Sequence, residues 1–385
     1  MANTLTNLIP TIYTALDIVS RELVGFIPAV ALDAQFTRAA VGQTVRSPVA
    51  PAASAGDITP AVTPPDDGNQ TIGSVSLSIT KARRVPVRWQ GEEELGLNNN
   101  GPGWSPILRD QFAQGFRTLA NEVETDLAAL HASASRAYGT AGTAPFGTAG
   151  DYTDASNALK ILLDNGCPNS DLHMVLNTAA GANLRGKQGG KANEAGTDSI
   201  LRQGVLLDVH GMAIRESAQI VTSTAGTAAS ATTNNAGYAV GATTITLASA
   251  GTGTLVAGDV VTFAGDTNKY VIATGDADVS NGGTIVLAAP GLRVAMSAAT
   301  KAITVVAAAA RNMVFRRSAI ALATRAPALP SGGDSAVDRR IVTDPRSGLS
   351  FEISMYPQYR QMQYEIALAW GVAMIKAEHS ALLLG

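Results

Sequence analysis

The 385-residue chain carries 28 Lys and Arg against 31 Asp and Glu, a net charge of −3, with 46% hydrophobic, 15% charged and 5% aromatic residues. The balance of charge excludes a sequence-wide electrostatic grip on nucleic acid, which needs a basic stripe, and the apolar content excludes a disordered chain. The single cysteine, Cys167, excludes an intrachain disulfide framework and a multi-cysteine zinc site.

The length suggests two or three domains. The first basic residue is Arg21, so the N-terminal apolar residues lack the basic start of a secretory signal. The apolar run Ile366 to Ile375 is about half of the ~20 residues that a membrane helix needs. These features predict a protein that is soluble and intracellular when made, with no membrane partner.

Residues 9–24 predict an amphipathic helix, because Ile12, Leu16, Val19 and Leu23 share one face and Gly25 and Pro28 stop it. Residues 45–70 are rich in Pro, Ala, Ser and Gly and cannot build a core of their own. Val75, Leu77 and Ile79 then alternate with Ser and Thr, and Val85 to Trp89 continues extended. The sequence predicts here a long hairpin or flap projecting from a body.

Residues 105–138 predict the strongest helix. Ser105 is the expected N-cap with Pro106 in the first turn, and Phe112, Phe116, Leu119, Val123, Leu127 and Leu130 line one face. At 1.5 Å per residue it would be roughly 45–50 Å long, a spine rather than one member of a bundle. A helix over 151–166, a strand over 172–176, a short helix over 178–185, a flexible loop over 186–197 and extended segments over 206–214 and 218–221 follow.

The composition then shifts. Residues 217–258 contain no charged side chain. Strand patterns recur at 243–247, 260–263, 269–272, 284–287 and 303–306, separated by turns such as Asn281-Gly282-Gly283. Short strands at this spacing predict a small barrel or sandwich inserted into a mixed α/β chain, with part of its charge-poor surface covered by neighbours. Beyond it, the pattern predicts a strand over 312–323, a Pro/Gly loop over 326–338, and strands over 341–342 and 349–355. A last strand over 364–375, interrupted at Gly371, precedes an apolar, packed Leu382 to Leu384.

Motifs that carry chemistry are scarce. His131, His173, His210 and His379 show no metal-ligand spacing, and Gly186 to Lys191 lacks the phosphate-loop pattern. Asp66-Asp67-Gly68 and Asp276-x-Asp278 lack the alternating ligands of a calcium loop. No GxSxG or dinucleotide fingerprint stands out. Glu92-Glu93-Glu94 follows the basic Lys81, Arg83, Arg84 and Arg88. Adjacent acidic and basic patches suit a chain that meets copies of itself. Arg83, Arg84, Arg88, Glu92, Glu93 and Glu94 are therefore the candidate inter-subunit contacts; no catalytic, metal or cofactor residue is assigned.

Several segments, in order, resemble the tailed-bacteriophage major capsid proteins of the Johnson fold, and most of all the Salmonella-type podophage coat family with an inserted β-domain. They are the N-terminal helix, the flap Ser47 to Thr80 in the place of the E-loop, and Leu119 to Glu124 in the core of the spine helix. They continue with Asp171 to Leu176, Leu201 to Gly204 running into His210 to Ser217, and Gly241 to Leu247 with Leu255 to Val260. Asn312 to Ala323, Arg339 to Ser354 and Ala369-Trp370-Gly371 complete the set.

The resemblance implies an α+β chain with an N-terminal arm over 1–44, an E-loop over 45–92, and a spine helix and peripheral domain over 93–150. An axial domain over 151–219 would be interrupted by a β-barrel over 220–308 and resume in 309–385, which would also hold the closing strands of the peripheral domain. It implies a structural protein without enzymatic activity or cofactor, forming hexamers and pentamers of an icosahedral shell in the virion, assembled in the host cytoplasm. Its partners would be other copies of itself, a scaffolding protein, a portal protein, a decoration protein, and weakly bound packaged DNA. Some members of this fold cross-link through an E-loop lysine; residues 47–80 contain none, which implies non-covalent locking. An encapsulin-like cage and, from another class, a surface adhesin or glycan-binding module are the competing readings.

Overall fold

The computed structural model describes residues 24–49, 55–63, 68–100, 103–147, 152–190, 204, 206–343 and 349–385. The helix expected over 9–24 lies outside them, except for Val24.

The chain opens with a 3-10 turn at Ile27–Ala29 and strand β1 (Ala31–Ala39). Strands β2 (Thr44–Val49) and β3 (Gly73–Ser78) pair antiparallel from Thr44↔Ser78 to Val49↔Gly73, which forms the expected hairpin. Strand β4 (Lys81–Gln90) leads directly into helix α1 (Gly91–Asn100) and then into the long helix α2 (Trp104–Ala129).

Helix α2 is shorter than its sequence suggests. It starts from Gly103, whose φ of 88° only glycine adopts freely, rather than from Ser105. It ends at Ala129 in a 3-10 turn, and Arg136–Gly139 forms strand β5 between two other strands. At 1.5 Å per residue α2 is about 39 Å long. The Ala- and Ser-rich stretch after Leu130 would tolerate helix, but pairing with distant strands decides its conformation.

Helix α3 (Thr153–Asp164), strand β6 (Leu172–Leu176) and helix α4 (Thr178–Gly190) follow. Helix α4 runs past Arg185 into the segment expected to be a loop. The Gln188 side chain holds it there by donating to the Leu207 carbonyl at 2.9 Å and accepting the Leu207 N–H at 3.0 Å. The extended segments expected over 206–214 and 218–221 fall instead as β7 (Met212–Glu216) and β8 (Thr222–Ser223).

The charge-poor block contains β9 (Thr244–Leu247), β10 (Val260–Phe263), β11 (Lys269–Thr274), β12 (Gly283–Leu287) and β13 (Ile303–Val305). All five sit where the alternation placed them. The remaining strands are β14 (Ala309–Arg316), β15 (Ile320–Pro327), β16 (Asp338–Thr343), β17 (Ser350–Gln358), β18 (Gln361–Met374) and β19 (Ser380–Leu384).

Two corrections fall in this last part. The strand expected over 312–323 is two strands, β14 and β15, joined by a 3-10 turn at Arg317–Ala319 that carries the chain from one sheet to another. The interruption expected at Gly371 is absent, because β18 runs unbroken and Gly371 pairs with Ala323.

One sheet has the order β1-β15-β18-β17-β16, with β4 also paired to β18. The larger sheet runs β13-β10-β11-β5-β19-β14-β6-β7, with β8 beside β14 and β12 between β11 and β9. The main core lies between the sheets and around α2, where Val123 and Leu127 meet Phe26, Phe315, Trp370 and Leu382. A second core packs α3 and α4 against β6, β7 and β19. A third lies within the charge-poor block, built from residues such as Ile245, Phe263, Ile272 and Ile285. That block has its own core yet shares a sheet with the body. The buried Arg136 of β5 reinforces the joint, donating to Asn268 at 3.1 Å and to Asn165 at 2.9 Å.

Candidate functional site

Strand β4 pairs with β18 along its whole length, from Lys81↔Trp370 to Gln90↔Gln361. Its side chains alternate between two faces. Val85, Val87 and Trp89 face the helices, and Trp89 Nε1 donates to Gln111 of α2 at 2.8 Å. On the same face, Lys81 donates to Asp126 at 2.6 Å and Arg83 lies 3.5 Å from Glu122. Residues i and i+2 of the strand thus meet residues i+4 and i of the helix. Arg84 is on the opposite face and donates to Glu365 of β18 at 2.7 Å. Arg88 is exposed and shares that face.

The three glutamates form the first turn of α1. Carboxylates are favoured there because the helix N-terminus carries partial positive charge. Glu93 is buried, and its Oε2 accepts the Gln90 N–H at 3.1 Å, closing the N-terminus as in a capping box. Glu92 and Glu94 border a cavity of about 580 Å³, bounded also by Trp89, Arg360 and Met362. Burial, and then the Glu94 charge, push the Tyr364 hydroxyl above its ordinary value.

The six candidate contacts therefore fall into distinct environments. Arg83 and Arg84 are engaged within the chain, and Glu93 serves the helix. Glu92 is exposed and Glu94 half-buried, both at the cavity beside Arg360. Exposed ion pairs contribute at most about 1 kcal/mol each, so the pairs of Arg83 and Arg84 are readily exchanged.

The hairpin β2–β3 rises next to this strand. Its base is anchored: Leu77 and Ile79 are buried against Ala39, Ala323 and Ala369. Gly42 N–H donates to the Ile79 carbonyl at 2.9 Å, and Thr80 N–H donates to the Trp370 carbonyl at 3.0 Å. Farther out, Ile58 is 98% exposed, and Val62 and Ile72 are also exposed. Sequence reasoning marked this segment as a flap but did not single out these three aliphatic side chains. Their signal was apolar residues inside a segment with no periodicity to bury them.

Glu124 and Asp126 were also missed as individual residues. Glu124 is fully buried, and it accepts hydrogen bonds from Ile27 N–H, Phe26 N–H and Ser217 Oγ. Burial nevertheless pushes its carboxyl above the usual range. Its signal was an acid beside Val123 on the apolar face of the helix. Cys167 is buried in the second core. Burial pushes the imidazoles of His131, His173 and His379 below their ordinary value. Among the described residues, no cluster of His, Cys, Asp or Glu could hold a metal ion, and no helix is long and apolar enough to cross a membrane.

No family model matches the sequence, and no curated protein matches it. Solved structures do. A chain from the capsid structure of cyanophage P-SCSP1u superimposes with a TM-score of 0.51 at 12% identity, covering 100% of this chain and 92% of that one. A chain from the mature capsid of bacteriophage PhiM1 gives 0.48 at 12% identity, covering 95% and 88%. One from Mycobacterium phage Che8 gives 0.45 at 14%, covering 94% and 92%. The P-SCSP1u comparison shows that the chain has the α+β fold of a phage capsid chain.

Proposed function

We propose that the chain is a phage major capsid protein, a structural subunit that self-assembles into the shell of the virion. The observation that carries this reading is the end-to-end likeness in fold to the P-SCSP1u capsid chain, which spans the whole of this sequence. The assembly we infer is an icosahedral head of hexamers and pentamers around double-stranded DNA, with the Johnson-fold division into N-terminal arm, E-loop, peripheral and axial domains and an inserted β-barrel over 220–308. Its further partners would be a scaffolding protein, a portal, a decoration protein and weakly held DNA.

The parts have the properties such a subunit needs. The hairpin is anchored at its base and apolar farther out, which suits an arm that docks on a neighbour. Burying a side chain such as Ile58 or Val62 contributes about 1.5–3 kcal/mol. Obligate interfaces commonly exceed ~2,000 Å², so the arm would be one contact among several. Residues 47–80 contain no lysine, so the contacts are read as non-covalent. Glu92 offers an exposed carboxylate to a basic neighbour, with Glu94 half-buried beside it, and the charge-poor block 220–308 offers surface that neighbours would cover.

The arm provides the test. Replacing residues 50–70 by a short Gly-Ser turn should leave the circular dichroism spectrum and unfolding midpoint of the monomer close to those of the parent. The variant should form no shells under conditions where the parent does. Shells forming as readily from the variant would remove the arm from the account.

A further inference from the structure

Strand β16 is the end strand of the sheet that contains β4 and β18. It pairs with β17 from Asp338↔Met355 to Thr343↔Ser350, and among the described residues nothing pairs with its other edge. Such an edge turns the N–H and C=O of alternate residues outward, a template for another strand. Apolar side chains are exposed along it: Val337, just before the strand, and Ile341. So are two opposite charges. The side chains of Arg340 and Asp338 are 79% and 50% exposed and lie 3.3 Å apart.

The order of these residues selects a partner. Because only alternate residues face outward, two copies of β16 can pair antiparallel only with the two-fold axis through a residue, not between two. An axis through Arg339 sets Asp338 of each copy opposite Arg340 of the other, and brings Val337 of each towards Ile341 of the other. An axis through Asp338 or Arg340 would instead oppose two like charges, and one through Ile341 would set Arg340 against Val342. The two Arg339 side chains that meet on the first axis are neutralised within their own chains, each paired with Asp334 and 3.8 Å from Glu352. Opposite charges directly across a strand pair stabilise it, and like charges destabilise it.

We propose that β16 is a self-complementary edge, pairing antiparallel with β16 of a second copy about a two-fold axis at Arg339. The proposal deepens the self-assembly reading, on which it rests, by naming one contact between copies. A six-residue strand buries far less than the ~1,200 Å² of a stable interface. The contact is therefore weak between free chains and adds to others in an assembly.

The test uses the full chain, whose single cysteine, Cys167, is buried and does not compete for oxidation. A chain carrying Asp338→Cys is mixed with one carrying Arg340→Cys and oxidised mildly. In this register the two thiols lie directly opposite, at a Cα separation of about 4.5–5.5 Å and within disulfide reach, and the remaining Arg340 and Asp338 still pair. Like positions lie about 8 Å apart, past the ~7 Å limit. A disulfide-linked heterodimer is expected from the mixture, and no homodimer from either chain alone. Sedimentation equilibrium gives a second reading. Asp338→Arg sets like charges opposite each other at two points and should weaken self-association about tenfold; adding Arg340→Asp should restore it. A heterodimer no more abundant than the homodimers, or a double variant as weak as the single one, would overturn the proposal. Shells that assemble without the heterodimer would overturn it and leave the self-assembly reading intact. The heterodimer from a chain that forms no shells would support it and contradict that reading.

Discussion

Glu124 on the long helix accepts the backbone N–H of Ile27 at 2.8 Å, across 97 residues of sequence. The same carboxylate accepts Phe26 N–H at 3.1 Å and Ser217 Oγ at 2.9 Å. One side chain thus fixes where the N-terminal segment enters the body and where β7 leaves it. Glu124→Ala would leave these buried donors without an acceptor, at a cost of about 2–3 kcal/mol. The urea midpoint should fall with an unchanged m-value, and amide exchange at Phe26 and Ile27 should accelerate while Glu124→Gln shows a smaller effect. Unchanged exchange at these two amides would contradict the assignment.

Asp126, half a turn farther along the helix, joins β4 and β18. It accepts Lys81 Nζ at 2.6 Å and Trp370 Nε1 at 2.8 Å. Trp370 is fully buried, whereas the Lys81 side chain is 38% exposed. Removing the acceptor should therefore cost more than removing the lysine. Asp126→Ala is expected to lose about 1–3 kcal/mol and to alter tryptophan fluorescence, whereas Lys81→Met should lose under about 1 kcal/mol. Equal losses would place the stabilisation in the ion pair rather than in the indole bond.

Gly371 is where the base of the hairpin crosses the sheet. A Cβ there would lie 1.9 Å from the Ser78 carbonyl oxygen. Gly371→Ala should force the two backbones apart, costing about 1–3 kcal/mol and exposing the Thr80 amide to exchange. Gly186 in α4 is the control, since a Cβ there meets nothing within 4 Å. Gly186→Ala should stabilise the protein by about 0.5–1 kcal/mol through helix propensity.

Within the charge-poor block, Tyr270 holds the turn before β11 through a 2.6 Å bond to Asp266. Burial, and then the bond to Asp266, push its hydroxyl up to about 12. The folded value lies above the unfolded one of about 10. The contribution to stability is therefore complete below pH ~10 and is lost as the pH rises towards 12. Spectrophotometric titration of the folded chain should leave Tyr270 un-ionised until that range, a late step that Tyr270→Phe removes. Tyr270→Phe should lose less stability than the parent between pH 10 and 12, and a parallel loss in both would contradict the pairing.

Local signals were legible where they were short and bounded by turn residues. Leu172–Leu176 and Val260–Phe263 are strands at the limits read from sequence, because β-branched or apolar runs there end in Asp, Asn or Gly. Residues 134–139 were illegible, since an Ala/Ser stretch after a helix gives no local reason to stop and only β11 and β19 make it a strand. Gly371 read as an interruption because glycine weakens an isolated strand; here it permits a close crossing. The intrachain partners of Arg83 and Arg84 depend on Glu122 and Glu365, and no spacing within residues 81–94 reports them.

The central claim is self-assembly, and sedimentation with electron microscopy of the purified chain, alone and with a scaffolding partner, tests it most directly. The account predicts closed shells of uniform diameter, built from rings of six and five subunits. A chain that stays monomeric under every assembly condition would contradict it and reduce the likeness to P-SCSP1u to one of fold alone.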